Sequence, residues 1–217
     1  MGLSSITPGD LARWAFWVPL RAVLDPARPE WIRGLSSAWR LRYAFSGAQK
    51  QAMETEFELC FGRSEGLVEE AYRIGVQNHL EELLLGKLTR DTWSEYMTFE
   101  GLEHLESALD RKKGAIVLFP HAGNFMMMIA GLSLSGFSYT QYAARGVPPP
   151  DLAAANPSLM RRSPLAVAAR EARERSEDSL PARFVTMDTS VRHLYRCLEN
   201  NELVGIALEG RIGRRFE

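Results

Sequence analysis

His121 is the residue in this sequence that is best placed for acid–base chemistry. It follows the apolar run Ala115–Phe119 by two positions and stands before Ala122, Gly123 and Asn124. A short continuous apolar run predicts a buried strand, and ligands bind at the carboxyl ends of strands in open α/β sheets. An imidazole at such a place can act as a general base on a hydroxyl group. The alternative is a turn histidine that serves only to make a hydrogen bond.

The residues after His121 suit a ligand with negative charge. Gly123 lets a substrate or a backbone segment come close, and Asn124 is a good N-cap for a helix over residues 124–134. The first turn of such a helix has free N–H groups, which stabilise an anionic centre. The sequence thus predicts a base and an anion-binding helix end side by side.

The sequence does not contain the motifs that several other kinds of chemistry require. Two cysteines, Cys60 and Cys197, cannot form a disulfide framework, and both fall in helical apolar patterns that predict buried, inert thiols. No spacing of His, Cys, Asp or Glu residues suggests a metal site. No G-x-S-x-G sequence marks a hydrolase nucleophile, and no G-x-G-x-x-G sequence follows a strand to bind a dinucleotide. We therefore expect neither a metal nor a cofactor.

The elements that must position His121 are strands and helices, which alternate over the second half of the chain. The composition, 217 residues of which 46% are hydrophobic and 24% charged, is that of a globular domain. Residues 152–175, broken by Pro157 and Pro164, are expected to form a partly mobile loop. The alternation predicts an α/β fold with a mostly parallel sheet and flanking helices. Strands are predicted over 115–119, 139–143, 184–186 and 203–208, and helices over 124–134 and 191–198.

The pattern of residues 10–110 is helical. Helices are predicted over 49–61, over 65–85 with Ser64 as N-cap and Gly86 as C-terminal stop, and over 102–109. The predicted organisation is a helical N-terminal region, residues 1–110, followed by an α/β core, residues 111–217, integrated in one domain.

The N-terminal region is basic and aromatic. Residues 1–50 hold 7 basic and 3 acidic residues, whereas residues 51–110 hold 4 and 14, and the acidic stretch is expected to be a solvated helix face. Indole and guanidinium groups both suit the headgroup layer of a membrane, but the same aromatic residues could pack on the core of a helical hairpin. The apolar stretch 11–24 is too short and too charged to span a bilayer. The aromatic residues are Trp14, Phe16, Trp17, Trp31, Trp39 and Tyr43, interleaved with Arg13, Arg21, Arg33, Arg40 and Arg42.

Two sequence blocks resemble one family of enzymes. The segment GAIVLFPHAGNF, residues 114–125, resembles the first block of the lipid A biosynthesis (lauroyl/myristoyl) acyltransferase family, within the wider glycerolipid acyltransferase superfamily. The usual form of that block is a strand followed by H-F-G-N-W-E, the H-x4-D/E motif. The segment NELVGIALEGRIG, residues 201–213, resembles the family's G-x-V-x-x-L-x-D-Q-x-x-G block. Members usually continue beyond it, so the resemblance implies that the chain is incomplete at its C-terminus.

The resemblance also implies an activity. The chain is expected to move a fatty acyl chain from acyl carrier protein or acyl-CoA to a lipid acceptor, either lipid A-like or a glycerolipid. It would do so at the cytoplasmic face of the inner membrane, held peripherally by its helical N-terminal region, and no nucleic acid is expected as a partner. His121 would be the general base, and Glu209 stands in the place of the family's aspartate. The residues expected to bind substrate are Gly123, Asn124, Met126, Arg145 and Arg211, whereas Arg161 and Arg162 are expected to be solvated loop residues.

The chain departs from the motif at Met126, which stands where the family has its acid. A carboxylate there would fix the imidazole tautomer and stabilise the imidazolium, and a methionine cannot accept that hydrogen bond. Three interpretations follow. Glu209 or Asp188 supplies the acid, the backbone orients His121 in a slower enzyme, or the chain is an inactive relative that binds lipid.

The apolar residues of the helix after His121 allow two interpretations. They could line an acyl groove, or they could pack in the core, and core packing is expected for at least half of them. The residues are Met126, Met127, Met128, Leu132 and Leu134.

Overall fold

The computed structural model describes residues 5–24, 31, 34–143, 163–186 and 189–208. The chain divides into two compact units, one made of Met1–Ala22 and Leu85–Glu217 and the other of Val23–Leu84. Short 3-10 turns and one π-helical turn, Phe16–Leu20, occur between the α-helices. Within the described residues the helices are α1 (Pro8–Ala15), α2 (Arg21–Leu24), α3 (Trp39–Ala44), α4 (Gly47–Phe61), α5 (Leu67–Glu82), α6 (Leu102–Asp110), α7 (Phe125–Leu134), α8 (Pro164–Asp178) and α9 (Arg192–Glu199).

Four parallel strands form the sheet of the larger unit. They are β1 (Ala115–Phe119), β2 (Tyr139–Tyr142), β3 (Arg183–Val185) and β4 (Leu203–Ala207), and their order in the sheet is β1-β4-β2-β3. All three pairings are parallel, with helices between consecutive strands in sequence. The predicted α/β fold with a parallel sheet is confirmed, and each predicted strand lies within one residue of its observed bounds.

The core of the larger unit lies between α7 and one face of the sheet. Helix α7 is apolar on nearly every side, and eight of its ten residues are buried. Gly131 on this helix has no room for a side chain, because a Cβ atom there would lie 2.5 Å from the Met97 sulfur. The buried members of the cluster are Leu85, Leu88, Met126, Met127, Ile129, Ala130, Leu132, Leu134, Tyr139, Leu180, Ala182 and Leu203.

One buried hydrogen bond inside this core constrains β4. The Tyr139 hydroxyl donates to Gln141 Oε1 at 2.9 Å, and burial raises the pKa of this phenol, so it stays a hydrogen-bond donor. The Tyr139 ring lies across Gly205 of β4, where a Cβ atom would overlap the phenol. Glycine is therefore required at position 205 for the ring to reach Gln141.

Strand β1 is only half buried, which corrects the prediction of a buried strand. Ala115 and Val117 pack against the core, but Ile116 and Leu118, on the other face, are 52% and 58% exposed. Strand β1 is the first strand in the sheet order, pairs only with β4 among the described strands, and has its second face largely uncovered at Ile116 and Leu118. An uninterrupted apolar run does not reveal which strand lies at the sheet edge.

Helices α5 and α8 differ most from the predictions. Helix α5 begins at Leu67 after Gly66, whose φ is 74°, and the Ser64 hydroxyl donates to Glu58 Oε1 instead of capping the helix. That helix ends at Glu82, before Gly86. Pro164, predicted to break the chain, instead occupies the first turn of α8, where its missing N–H costs nothing. Ser163 caps α8 by accepting a hydrogen bond from the Ala166 N–H at 3.2 Å.

The N-terminal residues 7–22 pack against α8. Asp10 is fully buried and forms a capping box with Thr7, and its other oxygen accepts a hydrogen bond from Arg13. The Arg21 guanidinium donates to the Ala172 carbonyl oxygen of α8 at 3.1 Å. Trp17 is 8% exposed, so the core-packing interpretation is confirmed for this indole.

The described residues of the unit Val23–Leu84 are mostly helical. The Tyr43 and Tyr72 rings meet edge to face at 5.4 Å, which joins α3 to α5. None of the residues of α4 is buried.

The two cysteines differ in their exposure. Cys60 on α4 is exposed, so its prediction as a buried thiol is wrong. Cys197 is buried as predicted, and its Sγ donates to Thr140 Oγ1 at 3.6 Å. In the described part of the chain, no helix is both long and apolar enough to cross a bilayer.

Met126, at the position of the motif's acid, is a core residue. Its side chain is 5% exposed and belongs to the apolar cluster that forms the core of the larger unit. Met127, Leu132 and Leu134 are buried in the same cluster, and Met128 packs against it. Core packing is therefore confirmed for these residues, and their lining of an acyl groove stays a prediction.

We expect the variant Met126→Glu to be destabilised, although it restores the residue type of the motif. A carboxylate in this apolar cluster loses its hydration, which lowers the free energy of unfolding by at least about 2 kcal/mol. Met126→Leu keeps the volume and is expected to lose less than about 1.5 kcal/mol. Thermal or urea unfolding of the two variants beside the wild type measures both effects. Equal stability of the Glu and Leu variants would mean that side chain 126 reaches water and that this placement of α7 is wrong.

Candidate functional site at the carboxyl edge of the sheet

His121 lies at the carboxyl end of β1, two residues beyond Phe119, and its side chain is exposed. The turn that carries it passes through Gly123, whose φ of 63° is in the left-handed region that glycine enters at little cost. Among the described residues, and apart from its two chain neighbours, no atom lies within 4 Å of a Cβ position built on Gly123. The histidine thus stands in an accessible turn at the edge where parallel sheets bind ligands.

Asn124 caps the helix that follows the histidine. Its Oδ1 accepts a hydrogen bond from the Met127 N–H at 3.2 Å, and its carbonyl oxygen accepts one from the Met128 N–H at 3.2 Å. The predicted N-cap is confirmed. Helix geometry leaves the N–H groups of the first two helical positions, Phe125 and Met126, without an intrahelical acceptor. The positive end of α7 therefore begins four residues after the imidazole.

Two phenyl rings lie against the imidazole. The Phe125 ring meets the His121 ring edge to face, with centroids 5.2 Å apart and planes at 81°. The Phe119 centroid lies 6.4 Å from that of His121 and 6.2 Å from that of Phe125, with which it is stacked at 19°. Sequence reasoning missed these contacts. The residues lie two positions before and four positions after His121, and only the path of the turn brings their rings together.

The carboxyl ends of β1 and β4 meet beside this turn. Phe119 is paired with Ala207, and the Leu208 N–H donates to the Phe119 carbonyl oxygen at 3.0 Å. At the other side of the sheet, the Ala143 N–H donates to the Val185 carbonyl oxygen at 2.9 Å. The described residues at this edge are therefore His121, Ala143, Thr186 and Leu208.

Several predicted site residues lie outside the described part of the chain. Two of them come soon after described strand ends in the sequence, since Glu209 follows Leu208 and Arg145 comes two residues after Ala143. Their roles stay predictions. The residues concerned are Glu209, Arg145, Arg211, Asp188, Arg161 and Arg162.

A metal centre has no support in the described residues. No group of three or more His, Cys, Asp or Glu side chains among them is arranged to hold a metal ion. The groups at the carboxyl ends of the described strands are an exposed imidazole, a capped helix N-terminus and apolar rings. This set suits proton transfer and stabilisation of an oxyanion.

Comparison with known proteins assigns the family. A comparison with curated proteins finds no match to the chain. The family model for bacterial lipid A biosynthesis acyltransferases matches residues 10–216, which is nearly the whole chain and includes both sequence blocks described above. This chain therefore belongs to the bacterial lipid A biosynthesis acyltransferase family, and it is an acyltransferase by that membership.

Proposed function

We propose that this chain transfers a fatty acyl group from a thioester to a hydroxyl group of a lipid acceptor, with His121 as the general base. The thioester is carried by acyl carrier protein or by coenzyme A, and the acceptor is a lipid A-like molecule or a glycerolipid. The observation that supports this role is the exposed imidazole at the carboxyl end of β1, next to the capped N-terminus of α7. Family membership supports an acyl donor and a lipid acceptor as the substrates.

The reaction needs two proton transfers, and one imidazole can perform both. A nitrogen of His121 takes the proton of the acceptor hydroxyl while the oxygen attacks the thioester carbonyl carbon. The tetrahedral intermediate then breaks its C–S bond. The leaving thiolate takes the proton from the imidazolium, which returns the histidine to its neutral form. The products are the acylated lipid and a free thiol.

The oxyanion of the intermediate requires donors close to the base. The N–H groups at Gly123, Asn124 and the first turn of α7 are the donors that we propose, because they lie at the positive end of a ten-residue helix. The space on the Cβ side of Gly123 supports this, since no described residue beyond its chain neighbours comes within 4 Å there and a thioester can approach the backbone.

We propose Glu209 as the carboxylate that orients the imidazole. Phe119 and Ala207 are partners in the parallel register, and in the sequence His121 and Glu209 each come two residues later. Asp188 is the alternative acid. Arg145 and Arg211 are proposed to bind a phosphate of the donor or of the acceptor, as planar guanidinium groups do well.

A second candidate function is lipid or carrier binding without turnover. It is favoured by Met126, which occupies the position of the motif's acid and is buried in the core. Under this hypothesis the scaffold binds an acyl chain or an acyl carrier, and replacing His121 has no effect on binding.

We expect His121→Ala to lower the rate of acyl transfer by about 10²-fold to 10⁴-fold, the usual contribution of a general base. The assay follows a labelled acyl group from acyl carrier protein or acyl-CoA into a lipid extract. His104→Ala is the matched control, because the His104 side chain is 86% exposed and lies on α6. It should retain the wild-type rate.

The same assay separates the alternatives. Glu209→Gln is expected to lower the rate and Asp188→Asn to leave it unchanged, and the opposite result would assign the acid to Asp188. Equal rates for the wild type and His121→Ala would contradict the general-base role. A wild type that binds acyl carrier protein but transfers no acyl group would establish the second candidate.

We further propose that the chain binds peripherally to the cytoplasmic face of the inner membrane. In the unit Val23–Leu84, Trp31, Leu41 and Phe45 are 66%, 65% and 84% exposed. The exposed Arg40 guanidinium lies 5.8 Å from the Trp39 ring. Residues 31–53 contain four basic residues and no Asp or Glu. Exposed apolar side chains among basic residues suit the surface of an anionic bilayer.

We expect the double variant Leu41→Ser, Phe45→Ser to bind vesicles that contain anionic lipid at least tenfold more weakly than the wild type. The reason is that two apolar side chains no longer enter the headgroup layer. Cosedimentation with vesicles of phosphatidylglycerol and phosphatidylethanolamine measures this. Phe61→Ser is the control, because Phe61 is 65% exposed but lies on α4 beside Glu54, Glu56 and Glu58. Equal loss in both variants would argue against a specific membrane surface at 31–53.

A further inference from the structure

We infer that Phe125 is a positioning residue, whose ring fixes the plane of the His121 imidazole at the end of β1. This inference rests on the proposed role of His121 as the general base. It assigns a function in acyl transfer to an apolar side chain at the first position of α7, one residue before the position of the motif's acid.

The geometry of the three rings carries the inference. His121 and Phe125 meet at 5.2 Å and 81°, which is the edge-to-face arrangement that aromatic pairs prefer. Phe125 is in turn stacked on Phe119 at 6.2 Å and 19°. The imidazole therefore contacts the Phe125 ring, and the Phe125 ring in turn packs against the Phe119 ring.

Both supporting rings belong to elements that are fixed in place. Phe119 is 5% exposed, and its backbone pairs with Ala207 and accepts a hydrogen bond from the Leu208 N–H. Phe125 is half-buried and begins α7 directly after the Asn124 cap. A strand end and a capped helix end thus hold the two rings, and the histidine between them in sequence folds back onto Phe125.

The consequence for catalysis follows from the geometry that a base requires. A base acts only from the rotamer that directs its nitrogen at the acceptor hydroxyl, so a contact that restrains the plane of the ring serves the reaction. A hydrogen bond to one ring nitrogen would set the tautomer, whereas the Phe125 contact sets the plane of the ring. At position 126 the side chain is buried in the core, so that residue does not supply this restraint.

The test compares variants that remove or keep an aromatic ring at position 125. Phe125→Leu and Phe125→Met remove the ring, and Phe125→Tyr keeps it. Phe137→Leu is the matched control, because Phe137 is also half-buried and packs against the same core, but follows the opposite end of α7. Each variant is first checked for a wild-type circular dichroism spectrum, and only folded variants are compared.

Two readouts are measured on the full chain. The first is kcat and KM for acyl transfer, and the second is the proton NMR shifts of the His121 ring, assigned by their loss in His121→Ala. We expect both ring-removing variants to lower kcat about tenfold with KM unchanged, since a misplaced base slows the chemical step. Their His121 ring protons should lose the ring-current displacement and move towards the values of a free histidine. Phe125→Tyr keeps the ring and should show the wild-type kcat and the wild-type His121 ring shifts. Phe137→Leu should change neither of these readouts.

The outcomes separate this inference from the proposed function. His121 ring shifts that do not change on loss of the Phe125 ring would overturn the contact itself. Shifts that change while kcat stays at the wild-type value would overturn the positioning role, although a strong loss in His121→Ala would still support the general base. Full activity of His121→Ala would overturn the proposed function and the positioning role together.

Discussion

The parallel pairing of β1 with β4 is the interaction on which the site depends. Gly114 sets its start, because a Cβ atom there would lie 2.7 Å from the Leu198 Cα atom, and its N–H donates to Asn201 Oδ1 at 3.0 Å. The register then runs to Phe119 and Ala207, and within the described residues the pairing ends with the hydrogen bond from the Leu208 N–H to the Phe119 carbonyl oxygen. A slip of one residue would turn the core residues of β1 outward and move the histidine turn along the edge.

The site combines an exposed histidine with a buried apolar helix that directly follows it in the chain. Helix α7 is buried along nearly its whole length, which fixes its N-terminus against the sheet, while the turn before it stays open to solvent. Core packing thus holds the Asn124 cap and the Phe125 ring in place without covering the imidazole. Met126 illustrates the cost of this arrangement, since the position that would bring an acid to the histidine serves the core instead.

The sequence predicts the parts of the fold that local physical chemistry determines. Strands rich in apolar residues, the Asn124 cap and the buried Cys197 follow from short-range patterns, and the two blocks around His121 and Leu203–Ala207 indicate the family. The exposed face of β1 was not predictable, because the covering of a sheet face by other elements is a long-range property. The start of α8 at Pro164 was missed because proline ends one helix and begins another equally well. The ring contacts of His121 depend on the path of one turn, which no periodicity reveals.

Accessibility and reactivity of His121 are the central claim, and chemical modification measures them directly. Diethyl pyrocarbonate modifies neutral imidazole groups, and peptide mass spectrometry resolves the extent at each of the 4 histidines of the chain. We predict that loss of acyl transfer follows modification of His121 in time, and that acyl donor and lipid acceptor together slow both. An enzyme that keeps its full activity with His121 completely modified would contradict the account.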